Sequence, residues 1–329
     1  MKAIHLLRHA RPDEAGACVE VEEVGSPGAG EVVVEMRASA INPADLLIME
    51  GRYPGPEELP APLGIEGAGR VVAVGAGVDN LNPGDKVISL GRANWAERIK
   101  APADRVVKLP EGLDFTQAAM LKANPPSAHF MLKDYVDLNP GDWIVQNAAN
   151  SAVGRHVIRF ARARGLRSVN VVRRESLIGE LKAHGGDVVV VDGDDLAARV
   201  RRETGAEAPI RLAIDAIGGT ATQRLADCLS DGGVVVNYGF LSGEACRITP
   251  HQAIIHGITL KGFWLVKVMQ SLSRDEIEAL YAEMAGAFMD GTLEVPVEAS
   301  YGLADAKTAL AHAWKAGRDG KIVFTPTAE

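Results

Sequence analysis

The 329-residue chain is long enough for two domains and a sizeable core, and 47% hydrophobic with 24% charged residues is ordinary for a globular protein. A formal net charge of −8 at pH 7 argues against nucleic acid as the main partner, because neutralising a phosphate backbone takes a basic surface. Three dispersed cysteines (Cys18, Cys228, Cys246) form neither a metal-ligand cluster nor a disulfide framework. With no signal-peptide core and no apolar run of about 18 residues, the chain is expected in the cytoplasm and off the membrane.

Up to about residue 122 the chain reads as short β-type runs: Glu31–Ser39, Gly69–Val74, Lys86–Leu90 and Arg105–Lys108. Turn residues break them at Ser26-Pro27-Gly28, Gly75-Ala76-Gly77 and Asn82-Pro83-Gly84-Asp85, the punctuation of a compact, partly barrel-like β domain. Asn42-Pro43-Ala44-Asp45 starts a short helix, with Asn42 a good N-cap and Pro43 suited to the first turn. Gly51-Arg52-Tyr53-Pro54 follows as a loop.

From about Asn124 strands and helices alternate. Trp143-Ile144-Val145 has the length of a buried strand, a small-residue turn runs from Asn147 to Gly154, and an amphipathic helix follows. Val153, Val157, Phe160 and Ala161 share one face of that helix, with Arg155, Arg159 and Arg162 largely turned away. Gly165 stands where a left-handed helix end belongs, and Ser168–Val172 completes a strand–helix–strand unit. Helices are then expected at Leu177–His184, Asp195–Glu203, Ala221–Leu229 and near His251–His256. Strands are expected at Asp187–Val191, Arg211–Ile217, Gly233–Tyr238 and Thr259–Val266. Six strands with intervening helices predict a doubly wound parallel sheet. The tail holds two helical patterns, Arg274–Met289 and Leu303–Ala316, and a strand at Lys321–Phe324. It is expected to rejoin the first domain, so that residues 123–266 are inserted between 1–122 and 267–329. A cleft between two domains is a favoured ligand site.

The turn after the first of the six strands suits a dinucleotide. A helix N-terminus offers unpaired N–H groups and partial positive charge to a pyrophosphate, and small residues let the backbone approach closely. Ala148-Ala149-Asn150-Ser151-Ala152-Val153-Gly154 lacks the three-glycine G-x-G-x-x-G, and an ordinary strand–helix turn fits it equally well. The tip of the second strand separates the two readings. NAD sites carry an acid about 20 residues past the glycines for the ribose 2′-hydroxyl. Here Arg173-Arg174 stands instead, suited to forking a 2′-phosphate, so the expected cofactor is NADPH.

The order β domain, inserted dinucleotide domain and returning tail resembles the medium-chain dehydrogenase/reductase superfamily over essentially the whole chain. The resemblance implies a GroES-like, partly open β-barrel domain plus an inserted Rossmann domain with a doubly wound parallel six-stranded sheet. Zinc alcohol dehydrogenases carry a Cys at the start of the early helix and Gly-His-Glu afterwards. This chain has Asn42 and Gly64-Ile65-Glu66 there and no four-cysteine loop, so no zinc is expected. Two zinc-free families share a Gly-x-Tyr-Pro segment: quinone oxidoreductases and 2-enoyl thioester reductases. Four segments are more similar to the enoyl reductases, especially the mitochondrial fatty-acid type. They are Lys122-Ala123-Asn124-Pro125-Pro126, Gln146–Ser151, Val169–Arg173 and Gly262-Phe263-Trp264-Leu265. Family members typically have Gly where Ala152 stands.

The resemblance also implies roles. Asn150, Ser151, Ala152 and Val153 match the pyrophosphate turn, and Arg173 and Arg174 the 2′-phosphate segment. Tyr238, Gly239, Phe240 and Leu241, with Phe263, Trp264 and Leu265, match segments beside the nicotinamide. Asn124 and Lys321 match cofactor contacts, and a homodimer is implied along the last strand, near Thr259–Val266.

An enoyl thioester has a polarised C=C. Hydride addition at Cβ builds charge on the thioester oxygen, and Cα then needs a proton. Tyr53 is the expected donor, because a phenol keeps its proton at neutral pH yet gives it to a more basic carbanion. A loop tyrosine packed against its neighbouring prolines fits the same residues. Asn42 is expected at the nicotinamide ribose or a carbonyl, beside its capping role. Ser151 lacks a G-x-S-x-G elbow, which argues against a hydrolase. The expected activity is NADPH-dependent reduction of a small-molecule enoyl thioester. The alternatives are an NADPH quinone oxidoreductase and, in another class, a non-catalytic NADPH-binding redox sensor.

Overall fold

Residues 1–205 and 208–327 are described by the structure, a computed structural model. They form two units, Met1–Ala123 with the chain from Leu272 onward, and Asn124–Ser271. In the first unit the Glu31–Ala40 strand buries Val32, Val34, Met36, Ala38 and Ala40 on one face, and Val33 and Ser39 on the other. It takes partners along its length. Ala68–Val74 and Arg98–Pro102 pair with it antiparallel, and Val323 and Phe324 of the Lys321–Phe324 strand pair with Ala40 and Ser39. The tail thus returns to the first unit as an integral strand. Lys86–Ser89, Val106–Lys108 and Val297–Tyr301 complete a seven-stranded sheet among the described residues. The first two short strands, Lys2–Leu6 and Gly16–Glu20, pair with each other, and Ala61–Pro62 adds to Lys2–Leu6. The sequence pattern misses these and Arg98–Pro102, because runs of only five residues get much of their strand character from pairing.

In the second unit six parallel strands stand in the order third, second, first, fourth, fifth, sixth among the described residues. In chain order they are Trp143–Gln146, Arg167–Val172, Val188–Val191, Ile210–Asp215, Val234–Asn237 and Thr259–Gly262. The order reverses between Trp143–Gln146 and Ile210–Asp215, and ligands of such sheets bind beyond the carboxyl ends at that point. Two expectations need correction. The last strand stops at Gly262, and Leu265 and Val266 lie in a helix, Leu265–Ser271, that belongs to the sheet unit. Arg155 is buried (6% exposed) rather than turned to solvent, because Glu180 pairs with it.

Candidate active site

The nucleotide turn is built by a cap and a clamp. Ser151 caps the Ala152–Ala163 helix, its Oγ accepting from the Gly154 N–H at 3.1 Å. The first N–H groups of a helix lack intrahelical acceptors. With that of Gly154 taken by Ser151, those of Ala152 and Val153 remain for an anion. Arg155 Nε donates to the Asn150 carbonyl at 3.3 Å, so the Arg155–Glu180 pair holds the turn from behind. Ala148 takes a left-handed φ of 47°, and a Cβ on Gly154 would stand 2.6 Å from the Ala149 carbonyl oxygen. Glycine is required there for strand, turn and helix to pack this closely. Tyr238 reaches the same turn: its hydroxyl hydrogen-bonds with Ser151, and burial pushes the phenol well up.

Polar residues close the carboxyl ends of the central strands. Asn147 Nδ2 donates to Asp215 Oδ1 at 2.6 Å across the switch point, while its Oδ1 accepts from the Ala216 N–H at 2.8 Å. The buried Asp215 carboxylate also accepts from the Ile217 N–H (2.9 Å), Thr222 Oγ1 (2.6 Å) and Asn237 Nδ2 (3.0 Å). A buried carboxylate with this many donors fixes three strand ends relative to one another. Sequence reasoning missed it. The available signal was an amide or acid ending an otherwise apolar strand: Gln146-Asn147, Asp215 and Asn237.

Arg173 and Arg174 follow the Arg167–Val172 strand directly, Arg173 exposed and Arg174 half-buried. The acid after the neighbouring strand, Asp192, is gripped by Arg224 through two bonds of 2.8 and 2.6 Å, so its charge is answered locally. Glu175, beside the two arginines, is exposed. The segments expected beside the nicotinamide divide. Gly239 packs so closely that a Cβ would sit 2.5 Å from the Ala216 carbonyl oxygen. Phe240 and Leu241 are more than half exposed, at 52% and 55%. Phe263 is buried edge-on to Tyr135, Trp264 is exposed, and Leu265 opens the Leu265–Ser271 helix. Asn124 is buried in the first turn of the Asn124–Lys133 helix.

The first unit gathers a second set. Asn42 caps the Pro43–Met49 helix and is buried, with Nδ2 donating to Glu66 Oε2 at 2.8 Å and Oδ1 accepting from Lys321 Nζ. Two residues expected as separate cofactor contacts are therefore bonded to each other. Asp45 accepts from the Asn42 and Ile65 N–H groups, each at 2.9 Å; burial pushes its carboxyl up to about 7. Lys122 Nζ donates to the carbonyls of Ile65 and Gly91, and burial pulls it down to about 8. Burial also lowers Lys321, against the pull of Glu66 and Asp45.

Tyr53 lies in the loop after that helix. The Gly51 N–H donates to Ile48 O and the Arg52 N–H to Leu47 O, while Arg92 Nη2 holds the Pro54 carbonyl at 3.3 Å. The half-buried ring packs against the apolar cluster that contains Ile41, Leu46, Ile48, Leu63 and Phe324.

Among the described residues no group of three His, Cys, Asp or Glu side chains is placed to hold a metal. At the two positions where the zinc enzymes carry ligands stand a hydrocarbon, Ile65, and an amide bonded to a buried ammonium, Asn42 with Lys321. Neither supplies a thiolate or imidazole, and the ammonium would repel a dication. Purified protein is expected to hold no stoichiometric zinc and to keep its activity in EDTA; activity lost to the chelator and restored by zinc would contradict this.

Comparison with known proteins agrees with this layout. A family model described as alcohol dehydrogenase GroES-like domain matches residues 28–111, and one described as zinc-binding dehydrogenase matches residues 152–285. A mitochondrial enoyl-acyl-carrier-protein reductase of Caenorhabditis elegans is 36% identical over 293 residues, covering 87% of this chain and 84% of that protein. The Escherichia coli quinone oxidoreductase, solved in complex with NADPH, superposes with a TM-score of 0.89 at 26% identity, covering 99% of this chain and 100% of that one. A mitochondrial 2-enoyl thioester reductase of Candida tropicalis shares the fold, with a TM-score of 0.86 at 23% identity over 98% of this chain and 99% of that one.

Proposed function

From the premise that the chain belongs to the medium-chain dehydrogenase/reductase superfamily, and within it to the family of the mitochondrial enoyl-acyl-carrier-protein reductases, we propose that it reduces trans-2-enoyl thioesters with NADPH. The observation that carries the cofactor is the Ser151-capped helix turn with Arg173 and Arg174 at the tip of the next strand. The Ala152 and Val153 N–H groups would receive the pyrophosphate, and the two guanidiniums the 2′-phosphate. When bound, NADPH supplies the hydride that adds at Cβ. Tyr53 is the proposed donor of the proton to Cα, so that hydride at Cβ and one proton at Cα together saturate the C=C. Its loop is pinned at both ends, so the phenol would be held in place before substrate arrives.

Quinone reduction is the second reading, favoured by the likeness to the Escherichia coli quinone oxidoreductase. Comparing NADPH-dependent turnover of crotonyl-CoA, longer enoyl thioesters and quinones separates the two. The proposal extends to a homodimer in a reducing compartment such as the cytoplasm. Thr259–Gly262 is the last strand of its sheet among the described residues, with Ile254 and Ile255 exposed just before it, and the three cysteines are free thiols. No helix of the described residues is long and apolar enough to cross a membrane.

A further inference from the structure

An asparagine amide has two ends of nearly equal shape and opposite chemistry, so its neighbours decide which way it faces. At Asn42 both neighbours are charged. Glu66 as a carboxylate only accepts, and Lys321 as an ammonium only donates. The observed orientation, Nδ2 to Glu66 Oε2 and Oδ1 to Lys321 Nζ, is the one that satisfies both. Turning the amide over would set Nδ2 against an ammonium and Oδ1 against a carboxylate, both inside a buried cluster.

Glu66 is the fixed point of this chain. It is fully buried, and its second oxygen, Oε1, accepts the Ala123 N–H, so the carboxylate is held from two sides. Lys321 opens the last strand, its own N–H bound to the Pro296 carbonyl. We propose that Glu66 is a positioning residue: its carboxylate dictates the facing of the Asn42 amide and thereby holds the Lys321 ammonium in place. The charged groups acting on Lys321 are Glu66 and Asp45, which favour the ammonium, and Arg318, which opposes it. Lys122 feels the same two carboxylates. Glu66 is the strongest of the groups that keep Lys321 charged against its burial.

Glu66→Gln tests this. Glutamine removes the charge and offers both a donor and an acceptor, so Asn42 is free to turn. Lys321 in the folded variant should titrate about one pH unit or more below the wild-type value. Heteronuclear NMR of isotope-labelled lysine side chains, assigned with Lys321→Arg, reads this directly. The basic limb of kcat/KM against pH should move down with it, a shift that a merely structural residue would not produce. The reductase reading enters only through that second readout. A shifted Lys321 titration in a protein that reduces no enoyl thioester upholds the positioning role and sinks the functional reading. An unchanged titration in a folded variant overturns the positioning role whatever the enzyme reduces. Should Glu66→Gln fail to fold, Asn42→Ala removes the bridge and keeps both charges. It too should lower the Lys321 titration, and no change there would equally overturn the proposal.

Discussion

Tyr53→Phe is expected to lower kcat on an enoyl thioester by about 10²- to 10⁴-fold with a modest effect on KM. The substitution deletes one hydroxyl and leaves the ring packed against the same apolar cluster, so the melting temperature should barely move. A proton given to Cα is needed only as charge develops there, and its loss therefore falls on turnover rather than on binding. Quinones provide the internal control, because their reduced oxygens take protons from water. The variant should retain far more quinone than enoyl turnover. Near-normal enoyl reduction by the Phe variant would assign Tyr53 to packing alone.

Replacing Arg173 and Arg174 together with Ala should cost at least about tenfold in kcat/KM for NADPH and little for NADH. The two guanidiniums are the cations that directly follow the strand, and the adjacent acid, Asp192, is already answered by Arg224. Raising the salt should weaken the wild-type preference, since Arg173 is exposed and screened. Equal losses with both cofactors would mean that the pair supports the fold rather than the 2′-phosphate.

What the sequence made legible followed from local chemistry. The Arg274–Met289 helix lies where its periodicity places it, and its Ser273–Glu276 capping box shows why it starts there. The small-residue turn before the Ala152–Ala163 helix, the strand tip at Arg173 and the Lys321–Phe324 strand could be read because each is marked by its own neighbours in the chain. The relation between Asn42, Glu66 and Lys321 could not be read, because hydrogen bonds joining residues 24 and 279 positions apart leave no local trace. The same holds for Asn147 and Asp215, 68 positions apart. Helical periodicity assigns Arg155 to solvent, whereas tertiary pairing with Glu180 makes its burial tolerable. The expected last strand extends past Gly262 because Phe263–Val266 is apolar enough for either structure. Short apolar runs do not separate strand from helix by periodicity.

The central claim is that the chain saturates an enoyl thioester, with hydride at Cβ and a solvent-derived proton at Cα. Its most direct test is the reduction of crotonyl-CoA with NADPH deuterated at the transferable C4 position, in ordinary water, with the product read by NMR. The account predicts butyryl-CoA carrying one deuterium at Cβ and none at Cα. Deuterium at Cα, or no labelled thioester product while quinones are readily reduced, would contradict it.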